Sequence, residues 1–407
     1  MLSGERAEVV VVGGGIIGLA VAWRLGQRGV AVELLERDGA GEGTSRVAAG
    51  MLAPVAEVEF GEAGRRVLDL GLRSAELWPG FAAELGEASG QELALRRTGT
   101  LLVARDADEA RELERQLAFR RSLGLRVERL LSSQAREREP ALAPTVRLAL
   151  EVPDDHAVDP RPVLAALRQA CVAAGVRLRE HTEVASVETD GAEARVSAVT
   201  LKGGERLEAP QLVLAAGSWS GSLPGLPERA RVPVRPVRGQ ILRLRDPAGP
   251  GMIDRVVRFE GGYLLPRGDG RYVLGATVEE RGFALSATAG GVYELLRDAR
   301  ELVPGVSELE IEELSVGLRP GTPDNAPLIG PGVLAGLTWA TGHHRNGILL
   351  APLTAELLTG TLAPSAGERS HADERLLAAC SPARFLAGPG PAIAAGGVLA
   401  ASAGGAG

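Results

Sequence analysis

Lysine is nearly absent from this chain. The single one, Lys202, falls in the polar turn LKGGER between two strand-like runs, whereas a Schiff-base mechanism needs a lysine in a desolvated pocket. Pyridoxal phosphate chemistry is therefore not expected. Cysteine is almost as scarce: Cys171 and Cys380 are the only two, with no CxxC pair and no metal-type spacing. That suits a reducing cytoplasm. Of the five histidines, His156, His181 and His371 stand alone, and the neighbours His343 and His344 cannot both face one metal from a regular element. No metal site is expected. A basic surface is missing too. The formal net charge is −7, which argues against a nucleic-acid partner, and the arginines between Arg111 and Arg121 are interleaved with glutamates as on a solvated helix face. The opening MLSGERAE has neither the basic nor the apolar region of a signal peptide, and no apolar run approaches the ~20 residues of a membrane span. A cytoplasmic, membrane-free protein is expected.

What the chain does have is a nucleotide-binding turn. Residues Val9 to Gly18 read VVVVGGGIIG, a β-branched run ending on Gly13, Gly15 and Gly18 and opening into the helical pattern LAVAWRLGQRG. Each glycine answers a separate demand: Gly13 lets a buried strand turn sharply, Gly15 lets backbone approach a pyrophosphate, and Gly18 lets the helix pack close to the sheet. The phosphates then sit at the helix N-terminus, where unpaired N–H groups and the macrodipole favour negative charge. A second strand, Ala31 to Leu35, leads to Glu36, about 20 residues past the glycines, where a carboxylate accepts from ribose hydroxyls. GxGxxG alone arises by chance in a chain with 54 glycines; strand, helix, strand and acid in this order do not. The motif by itself leaves FAD and NAD both open.

At 407 residues the chain exceeds one ordinary core, so two domains are expected. Asp159-Pro160 reads as an N-cap with proline at the first helical position, starting a crossover helix that stops at Gly175. A strand from Arg177 to Val187 and a buried run from Gln211 to Ala215 follow. Segments around Leu93 to Val103, Val234 to Leu244, Val256 to Pro266 and Tyr272 to Val278 are β-rich, with Gly-containing turns between them, and helical stretches run over Glu62 to Leu85 and Ala107 to Leu123. The fold class expected is α/β: a Rossmann-like dinucleotide-binding domain made of 1–85, 152–224 and 320–385, with an inserted, mostly antiparallel α+β substrate domain made of 86–151 and 225–319. From Gly388 the chain is rich in Ala, Gly and Pro, too poor in large apolar groups to offset ordering entropy, and 386–407 is expected to be a disordered tail.

The segment VGLRPGTPDNAPLIGPGVLAGLTWATGHHRNGILLA, Val316 to Ala351, carries a further signal. Together with GTSRVAAGML (Gly43 to Leu52), PVRGQIL (Pro236 to Leu242), GYLLPR (Gly262 to Arg267) and SPARF (Ser381 to Phe385), it resembles the FAD-dependent D-amino-acid oxidase superfamily, and within it the glycine oxidases of thiamine biosynthesis. The resemblance implies FAD, held noncovalently, since neither cysteine lies in a flavin-contacting motif. It implies that Ile16, Ile17, Glu36, Arg37, Thr44 and Ser45 hold the ADP part and pyrophosphate, that Ala49, Gly50 and Met51 run beside the flavin, and that Val184 meets the adenine half through its backbone. His343, His344, Arg345, Asn346, Gly347, Ile348 and Leu349 would pass under the pyrimidine edge, with a helix starting near Gly347 aiming N–H groups at the charge that builds there.

For the substrate, Arg319 closes the strand-like run ELSVGLR, and Pro320 is expected to end it so that the guanidinium projects into a cleft. A planar fork suits a carboxylate. The resemblance implies that Arg319 anchors the substrate carboxylate, that Tyr263 donates to the same group, and that Arg345 frames the site. Gly261 departs from the pattern, standing where this family can carry histidine. The implied reaction is oxidative deamination of glycine and other small amino acids by hydride transfer to flavin, giving the imine or oxo acid (glyoxylate), ammonia and hydrogen peroxide, with a role in forming the thiazole of thiamine. Sarcosine or D-amino-acid oxidases and dehydrogenases of the same superfamily, or a dinucleotide-binding scaffold without chemistry, are the alternatives. The expected partners are a small amino acid and oxygen, with room for a homo-oligomer.

Overall fold

The computed structural model describes residues 6–190, 194–364 and 370–386. All of the expected tail but residue 386 lies outside them. Two large sheets organise the chain. The first has six strands in the order Leu328–Pro331, Leu337–Thr341, Gln211–Leu214, Val9–Val12, Val32–Leu35 and Arg177–Arg179. All its pairs are parallel except one, Leu328–Pro331 with Leu337–Thr341 at the edge. Val9–Val12 is flanked by Gln211–Leu214 on one side and Val32–Leu35 on the other. Strand order therefore reverses at its carboxyl end, and that is where open α/β sheets bind ligands. The helix Ile16–Gln27 packs one side with Leu19, Ala20, Trp23 and Leu25 fully buried, and Trp23 meets Phe81 edge-on at 5.3 Å. The crossover helix Pro160–Ala173 begins as its sequence suggests, Asp159 accepting from the Arg161 N–H.

The second sheet has eight strands, in the order Glu310–Gly321, Arg235–Arg245, Arg271–Gly275, Gly262–Pro266, Val256–Phe259, Thr100–Ala104, Leu148–Val152 and Glu128–Leu131. It is antiparallel apart from the join of Val256–Phe259 to Thr100–Ala104. Helix Ala289–Leu302 covers it through Leu295, Ala299 and Leu302. Helix Ala107–Ser122 brings Leu113 and Leu117 against Leu102, Ala104 and Leu150.

Three local expectations are corrected. The run Arg177 to Val187 is two strands, not one: Arg177–Arg179 joins the six-stranded sheet, and Val184–Thr189 starts a separate three-stranded one. The chain turns between them, with His181 at φ 52. Of the β-rich stretch before Val103, only Thr100–Ala104 is strand, and Arg96 contributes one isolated bridge to Ala157. The third correction touches the site. The strand bearing Arg319 does not stop there but runs to Gly321, with Pro320 opposite Pro236. It is an edge strand, and an edge tolerates the missing N–H that a central strand would not.

Candidate functional site

A cleft of about 800 Å³ runs from the glycine turn to Tyr263 and Arg319 on the eight-stranded sheet. At its first end the three glycines behave differently. Gly13 has φ +107, and a Cβ there would lie 2.5 Å from the Ala215 carbonyl oxygen of the neighbouring strand. A Cβ on Gly18 would collide with the Gly13 carbonyl oxygen, so Gly18 serves packing and does not line the cleft. Gly15 does line it, and a Cβ there would have only Ser45 Oγ near it, at 3.3 Å. A cradle that a side chain would fill is what close backbone approach to a pyrophosphate requires. Ser45 Oγ accepts from the Ile16 N–H at 3.0 Å, Glu36 accepts from the Gly14 and Asp38 N–H groups at 2.7 and 2.9 Å, and Thr44 Oγ1 ties to the Leu318 backbone at 3.2 Å. Ile17, Arg37 and Val184 also face the cleft, the Arg37 guanidinium resting 4.7 Å from the Trp219 ring centroid.

Ala49, Gly50 and Met51 line the cleft as well. Arg267 holds the Ala49 carbonyl at 2.7 Å. His343, His344, Arg345, Gly347 and Ile348, where the helix Gly347–Leu362 begins, also line the cleft. Burial pushes His343 down to about 3. Burial, with Arg345 and Arg319 nearby, pushes His344 down to about 4. Both imidazoles are neutral at pH 7, and His343 Nε2 lies 2.9 Å from Thr354 Oγ1. Asn346 and Leu349 turn away from this cleft toward a smaller cavity beside Pro54 and Leu68. Helical rotation of about 100° per residue sends them there, and the Leu349 carbonyl accepts from Ser74 Oγ at 2.6 Å and Trp78 Nε1 at 2.9 Å.

At the far end, Arg319 and Tyr263 lie over glycines. Arg319 Nη1 donates to the Arg238 and Thr277 carbonyls at 3.3 and 3.0 Å, and a Cβ on Gly239 would sit 2.6 Å from its Nη2. Among the described residues no carboxylate pairs with Arg319. Burial lowers its proton affinity, but an arginine remains charged at neutral pH. Tyr263 stands opposite Gly275, where a Cβ would lie 2.6 Å from its hydroxyl. Burial pushes this phenol up to about 12, so it stays a donor. Gly261, at φ +87 in the hairpin turn, lines the same end and offers no polar group.

Glu57 and Arg258 also line this end and were not singled out from sequence. Glu57 pairs with Arg258 at 2.7 Å and with Arg345 at 3.3 Å, while Arg345 also pairs with Glu59. Burial favours the protonated Glu57, yet the charges of Arg258, Arg345 and Arg319 outweigh it and hold the carboxyl below its ordinary range. A clamp sets its position. Buried Asp155 accepts from the Val55 and Ala56 N–H groups at 3.2 and 2.9 Å, and buried Arg120 donates to their carbonyls at 3.0 and 2.8 Å. In the sequence, APVAEVEFGE looks like an acidic approach to a helix, and nothing local reports pairs 201 and 288 residues away.

Cys171 and Cys380 are free, buried and off the cleft. The described residues contain no cluster of metal-ligating side chains, and no described helix is long and apolar enough to cross a membrane.

An elongated cleft at a strand-order reversal, with a glycine cradle at one end and a carboxylate-free arginine at the other, defines a dinucleotide-dependent enzyme. The chain belongs to the DAO family of FAD-dependent oxidoreductases, whose model matches residues 8–361. It is 36% identical to a glycine oxidase of Geobacillus kaustophilus over 356 residues, 87% of this chain and 92% of that protein. It is also 36% identical to a bifunctional ThiO/ThiG protein of Synechocystis, covering 95% of this chain and 55% of that one. The crystal structure of glycine oxidase from Geobacillus kaustophilus superposes with a TM-score of 0.84 at 33% identity, over 93% of this chain and 98% of that chain. This chain is an FAD-dependent oxidoreductase.

Proposed function

We propose that the enzyme oxidises glycine and other small amino acids at the carbon–nitrogen bond, passing the electrons to oxygen as hydrogen peroxide and releasing glyoxylate and ammonia from glycine. The observation that carries this reading is the guanidinium of Arg319: half-buried, pinned through Nη1 to two carbonyls, without a carboxylate partner among the described residues, and facing the same cleft as the Tyr263 hydroxyl. A free cation so placed would bind a small carboxylate, and Tyr263 would donate to the same group. FAD, when bound along the cleft, supplies the two-electron acceptor. Gly13 and Gly15 would pass its pyrophosphate, Glu36 its ribose, and the N-terminus of Gly347–Leu362 would face its electron-rich edge.

No side chain need remove a proton from carbon. Both cleft histidines are neutral, His343 buried and His344 partly so, Glu57 is ionised and engaged by two arginines, and Tyr263 keeps its proton. Orientation by Arg319 and Tyr263 in a dry site would provide most of the acceleration. The division into a dinucleotide-binding part (1–85, 152–224, 320–385) and a substrate part (86–151, 225–319) belongs to this reading, supported by which strands enter which sheet. So do noncovalent attachment of FAD, work in a reducing cytoplasm, and a place in making the thiazole of thiamine, supported by the similarity to ThiO/ThiG proteins. A peroxide assay across glycine, sarcosine and small D-amino acids tests the reading. Peroxide and glyoxylate from glycine are expected, and a flavin-loaded protein inert toward all of them would overturn it.

A further inference from the structure

The charges around Glu57 have no task in the reaction just described. Three guanidinium groups face the substrate end of the cleft: Arg258 from the strand Val256–Phe259, Arg319 from Glu310–Gly321, and Arg345 from the turn before Gly347–Leu362. Glu57 sits between the first and the last, joined to Arg258 at 2.7 Å and to Arg345 at 3.3 Å. Glu59 takes the remaining side of Arg345. Among the described residues, only Arg319 of the three has no carboxylate partner. A ligand with one carboxylate can reach that cation without disturbing another charge. A ligand with two must leave its second carboxylate facing Glu57, or break the Glu57 pairs and leave unmatched a carboxylate whose side chain is only 9% exposed; either is costly.

We infer, resting on the reading that Arg319 takes the substrate carboxylate, that Glu57 is a specificity-determining residue: by occupying Arg258 and Arg345 it confines the site to amino acids with a single carboxylate and turns away acidic and N-carboxymethyl amino acids. This is selection by repulsion as well as by fit. The Asp155 and Arg120 clamp on Val55 and Ala56 keeps Glu57 at that place.

Binding to the flavin-loaded enzyme, followed by the flavin absorption band, reads this without turnover. Glycolate carries one carboxylate and diglycolate two. The parent binds glycolate more tightly, whereas Glu57→Gln, which keeps the shape and removes the charge, shifts the ratio of the two Kd values toward diglycolate by about tenfold or more. Adding Arg258→Gln to that variant reverses most of the shift. Glu57→Ser, assayed in parallel, shows the same direction and serves if the amide variant does not hold flavin. A parent that prefers diglycolate, or a ratio that moves by less than about twofold in the flavin-loaded variants, overturns the inference. Failure of the underlying reading shows elsewhere, in a parent that binds neither ligand and yields no peroxide from glycine.

Discussion

Gly239 and Gly275 have no side chains, yet they decide where the two ligand-facing groups lie. Arg319 and Tyr263 occupy the space a Cβ would take on these neighbouring strands. Gly239→Ala is expected to keep FAD but displace the guanidinium, raising KM for glycine with little change in flavin content; an unchanged KM would show that Arg319 tolerates the methyl group. Asp155 gives a second test at this scale. Burial pushes its carboxyl from 3.8 up to about 7, so the folded chain holds this proton more tightly than the unfolded chain does. Its contribution to stability is full below about pH 4 and is lost as the pH rises through about 7. Asp155→Asn should therefore shrink the fall in Tm between pH 5 and pH 8, and a fall as steep as the parent's would contradict the assignment. Of these residues, the glycines of the turn could be read in sequence because each answers a local demand. Glu57 could not, because its meaning comes from arginines on two distant elements.

At the scale of elements, the strand Val9–Val12, the turn and the helix Ile16–Gln27 act as one device. Gly15→Val would put its side chain in the cradle beside Ser45 Oγ, so the variant is expected to fold but fail to retain FAD; stoichiometric flavin in folded protein would show that the pyrophosphate lies elsewhere. This unit was legible because periodicity and glycine spacing agree within thirty residues. The run Arg177 to Val187 misled because β-branched composition marks strand content but carries no information about which sheet each half joins. Pro320 misled for a related reason: whether proline ends a strand depends on whether the strand is at an edge, a property of the sheet.

For the whole molecule, the account rests on one arrangement: a mostly parallel sheet that would hold the dinucleotide at its strand-order reversal, and a mostly antiparallel sheet that lays Arg319, without a carboxylate partner among the described residues, over the far end of the cleft. The α/β class and the inserted antiparallel sheet followed from motif order and from where β-rich segments fall, while the cation's isolation is visible only in the fold. Both cysteines lie off the cleft, so Cys171→Ser and Cys380→Ser should still release their flavin on acid denaturation, and flavin left on denatured protein in the parent but not in a variant would identify a covalent link. The most direct measurement is the affinity of Arg319→Ala for glycolate, taken with its KM for glycine. With the flavin spectrum intact, both should weaken by about 10- to 100-fold, the worth of a charge-assisted pair shielded from water, and Arg319→Lys should recover only part, since a point charge does not reproduce the planar fork. Parent-like affinity for glycine and glycolate in Arg319→Ala would contradict the account and move the carboxylate to another cation of the cleft, Arg345 first.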